Sequence, residues 1–218
     1  MNEDSGDALD HSGNENHGSV NGGVSRGSTG LLNGKAYDFD GTGGYVSIAD
    51  SEEISLSDEA TVCAWVKIRS KPDNHPRILQ KEPTNEAYIL WNSDDSGHVD
   101  EYGWRIDING TNYDVYTNGT TYTGGWEFIV GTFDGSKLKI FYNGRHTDTT
   151  SVSGQISETN GAISIGGDKI SGGSELDGKI AEIRMYNRAL TESEIQYLYS
   201  VGKRGLQSRY RYLLKKFT

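Results

Sequence analysis

The sequence contains one cysteine, three prolines and no long apolar run among its 218 residues. A single cysteine excludes an internal disulfide framework and a thiolate metal cluster, so cysteine usage leaves the redox compartment open. No stretch approaches the roughly 20 consecutive apolar residues that cross a bilayer, and we predict no membrane span. The opening residues Met1–Asp4 also lack the basic and apolar regions of a signal peptide.

Hydrophobic residues are scarce as well, at 33% of the chain, but 13 tyrosines, five phenylalanines and four tryptophans accompany 29 glycines. Aromatic side chains each bury a large area, so they can supply a core that the aliphatic residues alone could not. The length suits one large all-β domain. The net charge of −10 argues against nucleic acid as a partner, because its phosphates would be repelled.

The acidic charge is unevenly distributed along the chain. Residues 203–218 carry six basic residues and no acidic one, which leaves 15 bases and 31 acids for residues 1–202. We therefore divide the chain into a domain of residues 1–202 and a basic, aromatic C-terminal tail of residues 203–218. The alternation in Arg209–Tyr212 favours an extended strand that pairs with a sheet edge of the same or a neighbouring chain. A disordered tail is the alternative.

From residue 36 onward, short β-branched and aromatic runs are separated by Gly, Asn, Asp and Ser. Trp104, Ile106 and Ile108 alternate with polar residues, and this period of two is typical of a sheet with two different faces. The first 30 residues contain seven glycines and are predicted to be loop. Many short strands joined by turns favour a sandwich or jelly roll. The predicted strands are Ala36–Phe39, Tyr45–Ile48, Thr61–Ile68, Arg77–Glu82, Ala87–Trp91, Gly103–Ile108, Asn112–Thr117, Trp126–Phe133, Lys137–Tyr142, Ala162–Gly166 and Gly178–Tyr186.

One helix is predicted near the C-terminus. Thr191–Glu194 forms a capping box, in which the Thr hydroxyl and the Glu carboxylate each satisfy an amide of the first turn. Ile195, Leu198 and Tyr199 follow at helical spacing. Gly202 is placed to end the helix, which is therefore expected to be short.

Residues 10–18, Asp-His-Ser-Gly-Asn-Glu-Asn-His-Gly, resemble the opening motif of laminin-G-like domains, which belong to the concanavalin A-like lectin/glucanase jelly-roll superfamily. The resemblance extends over residues 5–198. It implies an all-β fold, a two-sheet antiparallel jelly-roll sandwich of the concanavalin A-like type, here with one short C-terminal helix. Further blocks follow in the order of that family: Ala36–Gly41, Tyr45–Ile48, Ala64–Lys67, Gly125–Phe128, Thr132–Gly135, Tyr142–Gly144 and Leu176–Leu190.

Two features depart from the family pattern. Its members usually begin with a strand before the acidic loop, whereas this chain starts almost inside that loop. We expect either a truncated chain or a larger assembly that supplies the strand. The basic tail has no counterpart in the family, so the tail and the missing strand are the two features through which further protein subunits could attach.

The acidic loop predicts a calcium site. Asp10, Ser12, Asn14 and Asn16 offer oxygens at alternate positions, and a glycine-punctuated loop can curl so that they converge on one hard cation. Calcium suits this set better than zinc, because the softer ligands that zinc prefers are mostly absent. Calcium takes six to eight oxygens, so the loop needs a distant carboxylate as well.

The resemblance implies that the closing strand supplies this carboxylate. Glu182 occupies that position, and Asp177 is the fallback. The ion would be structural, tying the loop to the last strand. The alternative is an Asx-rich turn, with Glu182 an ordinary surface carboxylate. The predicted calcium ligands are Asp10, Asn14, Asn16 and Glu182.

No catalytic residue is predicted, although the superfamily includes glycoside hydrolases. Such enzymes require two carboxylates at a set separation across one cleft. The sequence has no Glu-x-Asp-x-Glu strand run that would place such carboxylates on one face. Glu175 and Asp177 are two apart but flank a glycine-rich loop, and Cys63 lies in an apolar run that suits a buried small hydrophobe. We therefore expect a non-enzymatic protein, with a glycoside hydrolase as the remote alternative.

The middle third of the chain predicts a ligand-binding face. Sugar rings present apolar CH faces and hydroxyl edges, which aromatic rings beside Asn, Asp and Arg can recognise. Trp65, Trp104 and Trp126 are assigned to packing. Trp91 is the best candidate for an exposed ring, because a polar loop of residues 92–97 is expected to follow it. The predicted ligand-binding residues are Trp91, Asn92, Asp94, Asp95, Tyr102, Arg105, Tyr113 and Tyr116.

The sequence as a whole favours a non-catalytic binding module, stabilised by calcium, that recognises a glycan or a glycosylated surface. A different class is the alternative: a structural or adhesion subunit of a virus particle, a tail fibre or a cell-surface assembly. Either function implies an extracellular, cell-surface or virion location.

Overall fold

A computed structural model describes residues 7–29, 35–71, 75–81, 87–119, 123–168 and 174–215, without the side chains of residues 28, 29, 35 and 205–215. Within these ranges the chain forms fourteen strands, a 3₁₀ turn at Glu52–Ile54 and one helix, α1, at Glu192–Lys215. The strands are β1 (Gly18–Asn21), β2 (Val24–Thr29), β3 (Lys35–Asp40), β4 (Tyr45–Ile48), β5 (Ala60–Ser70), β6 (Arg77–Lys81), β7 (Tyr88–Asp95), β8 (His98–Ile108), β9 (Thr111–Tyr116), β10 (Glu127–Phe133), β11 (Lys137–Tyr142), β12 (Arg145–Ser151), β13 (Ile163–Ile165) and β14 (Asp177–Tyr186).

The strands form two seven-stranded sheets. Sheet A has the order β1-β4-β13-β6-β7-β8-β9, and sheet B has the order β12-β11-β10-β5-β14-β3-β2. Neighbouring strands pair antiparallel throughout the described chain. The two-sheet antiparallel jelly-roll sandwich that the sequence predicts is therefore confirmed. Each of the eleven predicted strands also corresponds to an observed strand.

Three strands were not predicted, and each lies at the edge of a sheet. β1 and β2 fall within the first 30 residues, for which the loop prediction is wrong, and β12 was left without an assignment. The β12 segment, Arg-His-Thr-Asp-Thr-Thr-Ser, contains no aliphatic residue. An edge strand packs little against the core and is often polar, so hydrophobic alternation does not reveal it.

The core between the sheets is built around large aromatic side chains that fit against glycine. Trp104 of β8 is fully buried, as predicted, and faces Gly131 of β10 across the sandwich. A methyl group on Gly131 would lie 2.3 Å from Trp104 Cδ2, well inside van der Waals contact. Gly131 therefore makes room for the ring, and the wide indole fills volume that aliphatic residues would otherwise have to occupy.

A second apolar layer lies on the outer face of sheet B, under α1. The Trp65 ring lies 5.2 Å from the Phe128 ring and stacks on Tyr199 of the helix at 5.6 Å. A methyl group on Gly202 would lie 2.5 Å from the Trp65 ring, so glycine lets the helix approach the sheet closely. The packing role predicted for Trp65 is confirmed, and Trp126 is half-buried against the same layer.

The capping box at the start of α1 is present as predicted. The Thr191 N–H donates to Glu194 Oε2 at 2.8 Å, and the Glu194 N–H donates to Thr191 Oγ1 at 3.3 Å. Arg188 adds two contacts to the Glu194 carboxylate, at 2.6 and 3.0 Å. These hydrogen bonds, led by those from Arg188, lower the pKa of Glu194 to about 2.

The end of the helix differs from the prediction. α1 does not stop at Gly202 but continues to Lys215 and is 24 residues long, so the extended-strand interpretation of the tail is wrong. Gly202 serves the close approach to Trp65 instead of terminating the helix. Lys, Arg, Leu and Gln, which dominate residues 203–207, are good helix formers and carry the helix onward. Among the described helical residues, none forms a span long and apolar enough to cross a membrane.

The Trp104–Gly131 contact predicts a stability loss from a single methyl group. Gly131→Ala should lower the free energy of unfolding by about 1–3 kcal/mol, because overpacking a dense core displaces the indole. Chemical denaturation at pH 7 measures the change. Gly125→Ala is the matched control, since its methyl group would meet only the Thr123 hydroxyl, at 3.2 Å. Equal effects of the two substitutions would contradict the role given to Gly131.

The capping box predicts an acid-sensitive contribution to stability. Because the pKa of Glu194 is lower in the folded chain, its contribution is complete above its ordinary value of 4.5 and disappears as the pH falls toward 2. The difference in melting temperature between the wild type and Glu194→Gln should therefore be constant above pH 4.5. Below pH 4.5 this difference should shrink toward zero. Glu192→Gln removes an acidic residue from the same turn but not from the capping box, so its melting temperature should differ less from that of the wild type. A difference between the wild type and Glu194→Gln that stays the same at acid pH would contradict the role given to Glu194.

Candidate ligand-binding face

Strands β7, β8 and β9 display a layered group of side chains on the face of sheet A that points away from sheet B, here called the outer face. Leu90, Trp104 and Val115 belong to the core between the sheets, so alternate residues project outward. Trp91 and Arg105 are two of these outward residues, and the Arg105 guanidinium lies 5.3 Å from the centre of the Trp91 ring. This distance allows a cation–π contact, which fixes the guanidinium over the sheet.

Tyr116 and Asp114 complete the group from β9. The Tyr116 ring meets Trp91 edge-on at 5.6 Å. Asp114 accepts two hydrogen bonds from Arg105, at 2.6 and 2.7 Å, so the guanidinium is held in a bidentate pair. Burial, followed by the negative charge of Asp114, raises the pKa of Tyr116 to about 12. The Tyr116 hydroxyl is therefore a hydrogen-bond donor at neutral pH, and Asp114 accepts it at 3.3 Å.

Two histidines, His75 and His98, lie beside this group. His98 of β8 stacks on Tyr116 with the ring centres 3.8 Å apart and the planes 8° apart. Its Nδ1 contacts Glu101 Oε2 at 2.8 Å, and His75 Nε2 contacts Asp95 Oδ1 at 2.7 Å. The bond from His75 is the main reason that the pKa of Asp95 lies below its usual value. Their positions depend on strand register, which residue type alone does not reveal.

The predicted ligand-binding set is divided by the sheet. Trp91, Arg105 and Tyr116 share the outer face, and Asp95 lies at its rim with a side chain that is 46% exposed. Asp94 lies at the same end of β7, 3.9 Å from Lys71 Nζ. The structure therefore brings some of the predicted residues together on the outer face and places others inside the sandwich, because side chains alternate between the two faces of a strand. Their role in ligand binding stays a prediction.

Asn92, Tyr102 and Tyr113 point into the sandwich and were misassigned to ligand binding. Asn92 and Tyr102 are fully buried, and Tyr113 is half-buried against the core. The Asn92 side chain donates to the Glu101 carbonyl at 3.0 Å, and the Tyr102 hydroxyl donates to the buried Glu127 carboxylate. A dense cluster of polar and aromatic residues on two-faced strands always includes residues of both faces.

Trp91 itself is not the exposed ring that the sequence predicts. Its side chain is only 2% exposed, because strand β7 continues through Asp95 where a polar loop was expected. The indole lies flat on β8, where a methyl group on Gly103 would come within 2.4 Å of the ring. Trp91 therefore supports Arg105 and Tyr116 from below, and those two residues form the accessible layer.

The acidic loop at the edge of sheet A forms a self-contained turn. Asp10 Oδ1 accepts the Ser12 N–H at 2.8 Å, and Oδ2 accepts the Ser12 hydroxyl at 2.7 Å and the Asn16 N–H at 3.1 Å. Burial opposes ionisation of Asp10, but these hydrogen bonds outweigh it and hold its pKa below the usual value. Asn16 Oδ1 accepts the Ser51 hydroxyl at 2.6 Å, and Asn14 is exposed.

Glu182 does not join this loop. It lies on the outer face of sheet B under α1, where its carboxylate accepts a hydrogen bond from Arg184 at 2.8 Å. The fallback residue Asp177 contacts Arg69 and Ser70. No group of three or more His, Cys, Asp or Glu residues is placed to hold a metal ion within the ranges that the structure describes. The four predicted ligands do not fit one calcium ion as arranged here, and the calcium site stays a prediction.

The chain belongs to the concanavalin A-like lectin/glucanases superfamily, because a laminin-G family profile of that superfamily matches residues 40–196. This match and the sandwich confirm the resemblance seen in the sequence. No protein with curated functional information matches the chain by sequence.

Several solved structures share the fold. The binding domain of Paraclostridial Mosquitocidal Protein 1 has a TM-score of 0.71 at 19% identity, and the botulinum neurotoxin serotype G binding domain has 0.68 at 16%. Each match covers 88% of this chain and 48% of the other. Domain 4 of AbnA, an arabinanase from Geobacillus stearothermophilus solved with arabinotriose, has 0.71 at 20%, over 88% of this chain and 93% of its own. The chain thus spans about half the length of the toxin binding domains, and identities this low show a shared fold alone.

The Asp10 turn and the calcium prediction can be separated by one experiment. From the observed hydrogen bonds, Asp10→Ala should lower the free energy of unfolding by about 1–2 kcal/mol in the presence of EDTA as much as in calcium, since the carboxylate satisfies backbone N–H groups directly. Thermal unfolding of both proteins in both buffers measures this, with Glu15→Ala as a control in the same loop. A melting temperature of the wild type that rises with calcium, and does not rise in Asp10→Ala, would instead establish the metal site.

Proposed function

We propose that the chain is a non-catalytic binding module that recognises carbohydrate, free or on a glycosylated surface, through the outer face of sheet A. The observation that carries the proposal is the layered arrangement on that face. Arg105 and Tyr116 are fixed on the buried Trp91 ring, and His98 stacks on Tyr116. Such a rigid group of rings beside charged hydrogen-bonding partners is what a sugar ring requires.

The accessible parts of this group suit the two surfaces of a saccharide. The imidazole of His98, 42% exposed, continues the aromatic platform of Tyr116 and can cover the apolar CH face of a ring. The Arg105–Asp114 pair is about one-quarter exposed on each side and offers donors and acceptors to hydroxyl groups. Because Arg105 is neutralised by Asp114, neutral sugars fit the face better than a ligand that needs an uncompensated positive charge.

The fold comparisons support a binding module without assigning a ligand. Domain 4 of AbnA was solved with arabinotriose, and a related botulinum neurotoxin binding domain was solved with SialylT. Those ligands belong to those proteins. For the present chain they make carbohydrate the first class to test.

The absence of catalysis is part of the proposal. A retaining glycosidase needs one carboxylic acid that donates a proton and one free carboxylate nucleophile across the bond that breaks. On the outer face, Asp114 is held by Arg105, Asp95 by His75, and Glu101 by His98 and by the Gly119 N–H at 2.8 Å. These pairings occupy the carboxylate oxygens with hydrogen bonds, which suits recognition better than proton transfer.

A second candidate function rests on α1. The helix extends through Lys215, and residues 203–218 carry six basic residues against an acidic domain of residues 1–202. A basic helix of this kind suits attachment to an acidic partner in a virus particle, a tail fibre or a cell-surface assembly. Both candidates place the protein outside the cell, on a cell surface or on a virion.

A glycan array with matched variants tests the leading proposal. We expect the wild type to bind a defined group of glycans and Tyr116→Ala to bind them at least about tenfold more weakly, a loss of about 1.4 kcal/mol. Tyr197→Ala is the control, because it removes a tyrosine that is 64% exposed on the opposite side of the domain. An array without specific binding, or equal binding by Tyr116→Ala, would refute the proposal for this face.

A further inference from the structure

A cleft of about 190 Å³ opens between α1 and the outer face of sheet B, on the side of the sandwich opposite the ligand-binding face. Its floor is aromatic, and its far wall is the second and third turns of the helix. A charged pair from β14 forms its remaining side. The lining of the cleft includes Trp65, Phe128, Glu182, Arg184, Leu198 and Val201.

The charged side of the cleft is held by strained backbone. β14 contains an irregularity between Ala181 and Arg184, and within it Glu182 adopts a φ of +53°. A side chain with a Cβ is disfavoured in this left-handed region, and glycine would occupy it without strain. Such strain persists where a side chain is needed in a particular place, and here it directs Glu182 into the same cleft as Arg184.

The pairing of these two residues limits which ligand can enter. Glu182 and Arg184 are 2.8 Å apart, with side chains 29% and 42% exposed. A ligand with one charge would take one partner and leave the other unpaired against an apolar floor. A ligand that carries both charges can pair its positive group with Glu182 and its negative group with Arg184, so that neither side chain is left unpaired.

Size and floor chemistry define the rest of the ligand. The cleft is smaller than the roughly 300 Å³ at which pockets for larger ligands begin, so it suits one small molecule. Trp65 and Phe128 are only 3% and 2% exposed and close the bottom of the cleft, while the half-buried Leu198 and Val201 of α1 offer an apolar surface next to the charged pair. The ligand must therefore carry an apolar group close to its two charges.

We propose that this cleft binds a small zwitterion with an apolar side chain, namely a free α-amino acid of the size of leucine. Its ammonium group pairs with Glu182, and its carboxylate pairs with the Arg184 guanidinium. Its side chain covers Leu198 and Val201. The site is independent of the carbohydrate proposal, since the two lie on different sheets.

Three related compounds test the charge requirement. L-leucine, N-acetyl-L-leucine and L-leucinamide share the side chain, but the second lacks the ammonium group and the third lacks the carboxylate. Isothermal titration calorimetry on the full chain should show binding of L-leucine and at least tenfold weaker binding of the other two. No heat with L-leucine up to millimolar concentration, or equal binding of all three, would overturn the proposal.

Variants of β14 separate a binding role of Glu182 from a structural one. Glu182→Gln removes the negative charge and keeps the side-chain length, so it should weaken L-leucine binding at least tenfold without weakening the binding of N-acetyl-L-leucine, which has no ammonium group. Lys179→Gln is the matched control, since Lys179 is also ion-paired on β14, to Asp38 at 3.2 Å, but does not line the cleft. L-leucine binding by Glu182→Gln as tight as by the wild type, or an equal loss for both compounds, would overturn the inference. Unchanged leucine binding by Tyr116→Ala would show that the result does not depend on the carbohydrate face.

Discussion

The contact between a tryptophan ring and a glycine is the constraint on which this sandwich depends. Within the part of the chain that the structure describes it occurs three times: Trp104 on Gly131 inside the core, Trp65 on Gly202 under the helix, and Trp91 against Gly103 on the outer face of sheet A. A chain that is one-third hydrophobic fills its layers by pairing its largest side chains with backbone that has no side chain. Glycine therefore has two uses in this chain: these three glycines make room for tryptophan rings, whereas others adopt the positive φ that turns require, the use that the sequence alone suggests.

The same contact determines where function can reside. Because Trp91 lies flat on Gly103, it is unavailable to a ligand but makes a firm base for the residues above it. Arg105 and Tyr116 are held there by ring contacts and by Asp114, and not by flexible loops. Under the helix, the approach of Gly202 to Trp65 brings the helix down onto sheet B, and a cleft remains beside it where β14 bulges.

Much of the fold follows from the sequence, because interior strands must alternate between two different faces and their aromatic and β-branched residues show it. The edge strands β1, β2 and β12 could not be found in this way, since a strand with one neighbour packs little against the core. The candidate face was located only as a region. Alternation assigns Tyr102 inward and Arg105 outward, but the strand continuing past Trp91 and the stacking of His98 depend on register between strands, which one sequence does not reveal.

The loop at Asp10 shows a different limit. Its motif indicates oxygen atoms in one place, yet the structure uses those atoms to accept hydrogen bonds from the loop itself. A pattern of acidic and amide side chains cannot distinguish a cation from a set of N–H groups as the partner, because the same oxygen atoms can bind a cation or accept hydrogen bonds. The position of Glu182 on the other sheet could be seen only once both sheets were assembled.

The polar edges of the two sheets have a consequence for how the protein behaves when many copies are crowded together. β12 presents Arg, His, Asp and Thr along its length, and β1 is a short strand of four residues. An exposed edge strand that is flat and apolar can pair with an edge strand of a neighbouring molecule, whereas a short or charged edge strand resists this pairing. Copies packed side by side on a surface would therefore keep their sheets separate, and each would present its outer face to the surroundings as an individual unit.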